Sequence, residues 1–134
     1  MVHQISIFAE NKKGAVRAIT QLLSEAGVNI QSFVTNDSAE FGIIRMLVSD
    51  ADMAGTLLAD AGYQIKQTPV LAVEIPDETG SLDQLLQCIE RSNVNIDYIY
   101  TSFDRYSTCP VIAIHSDDMD ELETSLSASG FRCM

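Results

Sequence analysis

Basic residues are scarce in this chain, and their scarcity argues against one large class of partner. The sequence holds 8 lysines and arginines against 19 aspartates and glutamates, a formal net charge of −11 at pH 7. Proteins that bind nucleic acids gain most of their affinity from clustered lysines and arginines that contact phosphates. We therefore expect no nucleic-acid partner. The deficit is uneven, because residues 1–67 contain seven acids and five bases, whereas residues 68–134 contain twelve and three.

Long apolar runs and cysteine pairs are also missing. No apolar stretch approaches the length of a membrane span, and the first four residues do not resemble a signal peptide. We therefore predict a cytoplasmic protein with no membrane partner. Cys88, Cys109 and Cys133 are widely separated and form no Cys-x-x-Cys motif, which fits neither a disulfide framework nor a zinc site. We expect them to be reduced thiols in or near the core.

Motifs of catalysis are absent as well. The sequence has no glycine-rich phosphate loop, no nucleophile elbow and no paired carboxylates. His3 and His115 are isolated from each other and from any cysteine, serine or acid at a useful spacing. We therefore predict no catalytic residue, no metal site and no cofactor, and the chain is not expected to be an enzyme.

What the sequence does contain is an internal repeat. Six residues recur at a spacing of sixty-six positions, half the chain length of 134: Gly14, Gln21, Val28, Asn29, Ile30 and Thr35 return as Gly80, Gln87, Val94, Asn95, Ile96 and Thr101. A fixed period predicts two copies of one small unit. We predict two domains, residues 1–67 and 68–134. Because domains of this size are near the lower limit of independent stability, we expect them to pack as one pseudo-symmetric body.

Each copy has the same predicted order of elements. Apolar residues alternate first, at Ile5, Ile7 and Ala9 and again at Leu71, Val73 and Ile75, as in half-buried strands. A turn with glycine follows, and the apolar period then lengthens to that of a helix. The remaining segments predict two strands, a second helix and a last strand. This β-α-β-β-α-β order is that of the ferredoxin-like unit, so the predicted fold class is α+β with two tandem ferredoxin-like units.

Helix ends are marked by their residue types. Gly27 and Asn93 suit the left-handed position after the first helix of each copy. The acids placed where the second helix should begin, as caps and as partners of its dipole, are Asp50 and Asp52 in the first copy and Asp117, Asp118 and Glu121 in the second. At residues 129–131 the spacing between the copies is sixty-eight, not sixty-six. We therefore predict that the second copy has gained two residues near its second helix.

Two short motifs resemble the ACT domain, a small regulatory module that binds ligands. The family pattern is a strand, then Asp/Asn-x-Pro-Gly-x-Leu opening a helix, then Gly/Asn-Val/Ile-Asn-Ile. The chain shows Asn11-Lys12-Lys13-Gly14-Ala15-Val16 with Val28-Asn29-Ile30, and Asp77-Glu78-Thr79-Gly80-Ser81-Leu82 with Val94-Asn95-Ile96. The resemblance covers essentially all 134 residues, in tandem.

The resemblance implies a ligand site at the loop before each first helix. In the family, this turn and the helix start hold a small effector, usually an amino acid, at an interface between two domains. A helix N-terminus offers unpaired N–H groups and a positive dipole end to a carboxylate, and glycine lets a ligand approach the backbone. The candidate ligand-binding residues are therefore Asn11, Lys12, Lys13, Gly14, Ala15, Asn29, Ile30, Asp77, Glu78, Thr79, Gly80, Ser81, Asn95 and Ile96.

The two copies depart differently from the family pattern. Lys13 and Thr79 stand where the family has proline, which leaves both turns less rigid. Asn11 replaces the family's acid, whereas Asp77 keeps an acid that can accept a hydrogen bond from an ammonium group. The second copy therefore matches the family better for a zwitterion, while Lys12 and Lys13 favour a carboxylate.

Three functions remain open at this point. The first is a non-catalytic regulatory or sensor protein that binds an amino acid, forms a homodimer and acts through oligomeric contacts or a metabolic enzyme on another chain. The second is an interaction module for such an enzyme without a small ligand. Gly14 and Gly80 would then only form tight turns, and Asn29 and Asn95 would bond to local backbone. The third is an enzyme, such as a small hydrolase, on the same fold.

Overall fold

The chain forms two compact units. A computed structural model describes residues 1–10, 12–35, 41–103 and 107–134. Residues 3–68 form the first unit, and residues 1–2 with 69–134 form the second unit. The predicted ligand residue Asn11 lies outside the described residues.

The first unit is a sheet with two helices. Its elements in chain order are β1 (Val2–Glu10), α1 (Ala15–Glu25), β2 (Ile30–Thr35), β3 (Phe41–Val48), α2 (Ala51–Asp60) and the first part of β4 (Gln64–Glu74). The strand order is β2-β3-β1-β4. β3 pairs antiparallel with both neighbours, opposing Ile44 to Ile7 of β1 and Met46 to Phe33 of β2.

The second unit repeats this arrangement. After the second part of β4, its elements are α3 (Ser81–Arg91), β5 (Ile96–Ser102), β6 (Val111–Ser116), α4 (Met119–Ala128) and β7 (Arg132–Cys133). The strand order is β5-β6-β4-β7, the same as in the first unit. Both units therefore have the β-α-β-β-α-β order, and the α+β, ferredoxin-like prediction is confirmed.

Each unit has its own apolar core, formed by the strand alternation and the helical stripes. The residues with no exposed surface include Ile5, Ile7, Ile19, Leu23 and Leu58 in the first unit and Leu71, Val73, Leu85, Leu122 and Leu126 in the second. Alternate residues of a strand point to one face of the sheet, and residues three or four apart on a helix share one side. The two periods in the sequence therefore bring the helices onto one face of each sheet.

The second helix of each unit begins at a capping aspartate, as predicted. The Asp50 carboxylate accepts a hydrogen bond from the Met53 N–H at 3.0 Å. The Asp118 carboxylate accepts one from the Glu121 N–H, also at 3.0 Å. Each carboxylate satisfies one of the N–H groups that have no acceptor within the helix.

The first helices end differently from each other. Gly27 has a φ of 76°, as predicted for a left-handed position after α1. The prediction for Asn93 is wrong, because every described residue with positive φ is a glycine. Ser92 ends α3 instead: its backbone is extended, with φ −83° and ψ 169°, and its hydroxyl donates to the Ile89 carbonyl at 2.5 Å. The chain leaves the helix there without a left-handed residue.

Two further features of the repeat differ from expectation. Ile7 opposes Ile44 and Val73 opposes Ile112, so the spacing between the copies is already sixty-eight at β3 and β6. The two additional residues therefore lie between β5 and β6, and the prediction that they lie near the second helix is wrong. In addition, the strand-like segments on either side of residue 68 form one continuous strand, β4.

The helices have 10 or 11 residues each. A membrane-spanning helix needs about 20 apolar residues. Within the ranges that the structure describes, none of the helices is long and apolar enough to cross a bilayer.

Candidate functional site

The first helix of each unit begins at a glycine with left-handed backbone. Gly14 caps α1 with φ 83° and ψ −3°, and Gly80 caps α3 with φ 91° and ψ −5°. Neither helix start has a hydrogen bond from a capping side chain. L-residues with a Cβ adopt this conformation at a cost, which explains why the sequence has glycine at both positions.

Hydrogen bonds at these helix starts leave part of the first turn open. The Ala15 N–H donates to the Lys12 carbonyl at 3.2 Å, and the Ala18 N–H donates to the Gly14 carbonyl at 3.0 Å. The N–H groups of Val16 and Arg17, between them, belong to the first turn and have no acceptor within the helix. Such groups and the positive end of the helix dipole favour an anion.

A cleft of about 730 Å³ lies at the start of α1. Its lining comes from the end of β1, the first loop (residues 10–15), the start of α1 and the segment between α2 and β4. The described lining residues are Phe8, Ala9, Glu10, Lys12, Lys13, Gly14, Ala15, Ala18, Gly62, Tyr63 and Gln64. Four of the candidate ligand residues, Lys12, Lys13, Gly14 and Ala15, therefore share one cleft.

Charged and apolar groups are separated in this cleft. The Lys12 ammonium is 3.1 Å from the Glu10 carboxylate, so these two charges compensate each other. Lys13 forms no ion pair with any described residue, and its side chain is exposed. Phe8 and Tyr63 contribute aromatic surface, with Phe8 40% exposed. The cleft can therefore accept a ligand that has both an anionic group and an apolar body.

Sequence reasoning missed the wall of this cleft formed by Phe8, Tyr63 and Gln64. None of these three residues is among the candidate ligand-binding residues of the sequence. In the ferredoxin-like order, β4 is the neighbour of β1. That adjacency, already implied by the predicted element order, was the signal that could have located residues 62–64 beside the end of β1.

Asn29 and Ile30 lie at a different cleft, of about 760 Å³, and none of its described lining residues also lines the first. The Asn29 N–H donates to the Ser49 hydroxyl at 3.0 Å, and the Ser49 N–H donates back to the Asn29 carbonyl at 2.9 Å. Ile30 packs against the core of the first unit. The backbone of Asn29 therefore joins the starts of β2 and α2, while its exposed side chain borders the second cleft together with Arg17.

A family model for the ACT domain pair matches residues 1–123 of the chain. The chain belongs to this family. ACT domains are regulatory modules, and the resemblance to this family that the two loop motifs indicated is confirmed. None of the curated proteins compared with the chain matches it.

Solved structures show the same fold. A crystal structure of a protein from Bacteroides thetaiotaomicron is 28% identical, with a TM-score of 0.91 over 99% of this chain and 91% of that one. The ligand-free regulatory subunit of aspartate kinase from Thermus thermophilus is 17% identical, with a TM-score of 0.69 over 94% and 88% of the two chains. The corresponding subunit from Thermus flavus is 15% identical, with a TM-score of 0.61 over 95% and 91%.

The second ACT unit repeats the helix start with other side chains. The Ser81 N–H donates to the Glu78 carbonyl at 3.2 Å, and the Gln84 N–H donates to the Gly80 carbonyl at 2.9 Å, as in the first unit. In the second loop (residues 76–81), all residues up to Gly80 are exposed, and Ser81 is buried at 8% exposure. Asp77, Glu78 and Thr79 therefore surround this helix start with acidic and neutral polar groups.

Asn95 and Ile96 occupy the same places in the second ACT unit as Asn29 and Ile30 in the first. The Asn95 N–H donates to the Asp117 carboxylate at 2.8 Å, and Ile96 packs against the core. Both asparagines thus use their backbone to hold the junction between a strand and the following helix.

The prediction that His115 is isolated from any acid is wrong. Its Nδ1 lies 2.8 Å from the Asp97 carboxylate, and its ring stacks on Tyr98 with centroids 5.1 Å apart. The antiparallel pairing of β5 and β6 opposes Tyr98 to His115, and an irregularity between Ile96 and Tyr98 places Asp97 beside the histidine. Pairing across strands, not spacing in the sequence, creates this contact.

The cysteines are free thiols, as expected. Cys88 is buried, and its Sγ lies 3.1 Å from the Ser129 hydroxyl. Burial raises the pKa of the Cys133 thiol, so this group stays protonated at neutral pH. Among the residues that the structure describes, no group of three or more histidines, cysteines and acids could hold a metal ion.

Proposed function

We propose that the chain is a non-catalytic regulatory or sensor protein, with ACT-like domains at residues 1–67 and 68–134, that binds a small ligand, an amino acid. It signals through a change in its contacts with a second copy or with a metabolic enzyme on another chain. The observation that supports this proposal is the cleft at the start of α1, where an uncapped helix N-terminus adjoins aromatic surface. A ligand affects the output only through its different affinity for two states of the protein.

The first loop is the main proposed site. The ligand's carboxylate binds the N–H groups of the first turn of α1, where Gly14 offers no side chain that would obstruct it. The ligand's side chain packs against Phe8 and Tyr63, and the Gln64 amide supplies polar contacts. Lys12, Lys13 and Ala15 complete this site, and Asn11 stays a proposed member.

The second loop is proposed as a further and weaker site. Asp77, Glu78, Thr79, Gly80 and Ser81 surround an equally uncapped helix start. Their acids favour the ligand's ammonium group but repel its carboxylate. Asn29 with Ile30 and Asn95 with Ile96 remain proposed ligand contacts, but they lie apart from the two helix starts, and Asn29 and Ile30 line the second cleft.

The experiment that tests ligand binding is thermal unfolding in the presence of each of the twenty amino acids at millimolar concentration. A ligand at about a hundred times its Kd adds roughly 2.7 kcal/mol to the free energy of unfolding. That amount raises the midpoint by several degrees in a protein of this size. We expect a shift with one amino acid or a few related ones, and no shift with any of them contradicts the proposal.

A pair of phenylalanine variants then assigns binding to the cleft. Phe8→Ala removes aromatic surface from the cleft, whereas Phe33→Ala removes a 56% exposed phenylalanine of β2 that does not line it. We expect the first variant to weaken the ligand-induced shift and the second to retain it. An equal loss in both variants would place the ligand elsewhere.

An interaction module without a small ligand is the second candidate. β2 and β5 are the terminal strands in the strand order, and terminal strands present unpaired backbone groups that can pair with another chain. Phe33 on β2 is 56% exposed, and Phe103, directly after β5, is 77% exposed. This candidate is favoured if no amino acid shifts the midpoint while Phe33→Ser and Phe103→Ser change the oligomeric state in sedimentation.

A further inference from the structure

The charges of the first cleft are not balanced. Glu10 and Lys12 form an ion pair at 3.1 Å, and so neither charge is uncommitted. Lys13, which also lines the cleft, has no acidic partner among the described residues. The N-terminus of α1 adds a second electropositive group without a capping carboxylate. Among its described lining residues and the adjoining helix start, the cleft therefore offers two uncommitted positive groups and no uncommitted negative one.

This local excess is unusual in a chain with a net charge of −11. An anionic ligand is repelled by such a protein in general and is attracted only where positive groups converge. At the other helix start, the corresponding loop positions hold Glu78 and Thr79 instead of Lys12 and Lys13. The two helix starts therefore differ in the sign of the charge that they attract.

We propose that the first cleft selects a small dicarboxylate, an inference that rests on the proposed function of this cleft as a ligand site. One carboxylate binds the open N–H groups of the first turn of α1, and the other binds the ammonium of Lys13. The carbon chain between them packs against Phe8 and Tyr63. An ammonium group on the ligand is not required, since Glu10 is already paired with Lys12. Acidic amino acids and simple organic dicarboxylates share this chemistry.

The test is isothermal titration calorimetry of the full chain with ligands that differ by a single charge. Aspartate and glutamate are compared with asparagine and glutamine, and succinate is compared with its monoamide. A charge-assisted hydrogen bond typically changes affinity by about tenfold or more. We expect each dicarboxylate to bind at least about tenfold more tightly than its amide, with one molecule bound per chain.

Two lysine variants identify the group that binds the ligand's second carboxylate. Lys13→Gln removes the unpaired ammonium from the cleft, while Lys66→Gln removes an exposed lysine of β4 that does not line it. We expect Lys13→Gln to abolish the preference, so that each dicarboxylate binds no more tightly than its amide. Lys66→Gln is expected to retain the preference.

The outcomes separate this inference from the proposed function. Binding of asparagine, glutamine or another neutral amino acid as tightly as the dicarboxylates overturns the inference and supports the proposed amino-acid site. Binding of succinate as tightly as aspartate supports the inference and identifies organic dicarboxylates as ligands in their own right. A preference that survives in Lys13→Gln overturns the role of Lys13. No binding of any compound overturns both proposals.

Discussion

The starts of α1 and α3 share one backbone conformation, but the side chains of the loops before them differ. Gly14 and Gly80 have φ values of 83° and 91°, and neither helix start has a side-chain cap. Between strand and glycine, however, the first loop has two lysines where the second has Glu78 and Thr79. The comparison teaches that the turn geometry fixes the glycine, whereas exposed side chains beside it are free to diverge. The fold and the proposed ligand preference therefore depend on different residues of the same loop.

The walls beside the two loops differ in the same way. Phe8 and Gln64 line the first cleft, and the repeat spacing aligns them with Glu74 and Arg132 in the second unit. Register pairs Glu74 with Arg132 across β4 and β7, and their charged groups lie 3.6 Å apart. An ion pair thus occupies the places of Phe8 and Gln64. Tyr63 keeps an aromatic counterpart in Phe131, so only the part of the aromatic wall that Phe8 supplies differs in the second unit.

The largest expected effect tests whether the two cores are equivalent. Leu58 and Leu126 align between the copies, and both are fully buried. Leu58→Ala and Leu126→Ala are each expected to lower the free energy of unfolding by about 2–5 kcal/mol, because each leaves a cavity in a separate core. Denaturant unfolding followed by circular dichroism measures both losses.

Met53→Ala is the matched control, since Met53 is an apolar residue of α2 that is 46% exposed. Surface substitutions usually change stability by no more than about 0.5 kcal/mol. A loss below about 1 kcal/mol in either leucine variant would mean that the corresponding core is not packed as the structure shows.

The second-largest expected effect on stability tests the left-handed backbone that Gly14 and Gly80 share. A Cβ added at Gly14 or Gly80 meets no atom within 4 Å, so substitution causes backbone strain without a clash. Gly14→Ala and Gly80→Ala are each expected to lower the free energy of unfolding by about 1–2 kcal/mol, the cost of left-handed backbone for an L-residue. Denaturant unfolding of both variants checks whether the two losses are similar.

Asparagine is the control at the same two positions, since it adopts left-handed backbone more readily than alanine. Gly14→Asn and Gly80→Asn are therefore expected to be less destabilised than the alanine variants. If asparagine and alanine are equally destabilising, strain is not the reason for glycine there.

Most of the fold followed from two sequence periods and a few turn residues. Alternation at Ile5 and Ile7 and helical spacing at Ile19 and Leu23 identified core residues, because burial on one face requires these periods. The helix end at Asn93 was not predicted correctly, since Ser92 can leave the helix in extended backbone and bond to a carbonyl of the last turn. Which of the neighbouring residues Ser92 and Asn93 ends the helix depends on local backbone and hydrogen bonds. The hydrophobic period of the helix carries no information about that choice.

The site was only partly predictable. Lys12, Lys13 and Gly14 were identified from the motif because they are adjacent in sequence to the helix start. Gln64 was missed because its place beside that loop depends on the pairing of β1 with β4, and Phe8 was missed because it precedes the motif. The contact of His115 with Asp97 depends on an irregularity in strand register, which no spacing rule gives.

A smaller expected effect tests the starts of α2 and α4, which have a capping aspartate, in contrast to the starts of α1 and α3, which have no side-chain cap. Asp50 and Asp118 each accept a backbone N–H at 3.0 Å. Asp50→Ala and Asp118→Ala are expected to lower the free energy of unfolding by about 1 kcal/mol, because an N–H of the first turn loses its acceptor. Thermal unfolding measures the change. Serine restores an acceptor, so Asp50→Ser and Asp118→Ser should recover most of the stability, and failure to do so would argue against capping as the cause.

The smallest effect concerns the ion pair that occupies the places of Phe8 and Gln64 in the second unit. Arg132→Gln introduces the residue that the first unit has at the aligned position 64. The Arg132 side chain is 75% exposed and 3.6 Å from Glu74, so its loss should change the free energy of unfolding by no more than roughly 1 kcal/mol. Unfolding at low and high salt measures this contribution, which should shrink as salt screens the pair. A larger and salt-independent loss would show that Arg132 stabilises the β4–β7 pairing through its packing, in which case the two walls would differ in structure as well as in charge.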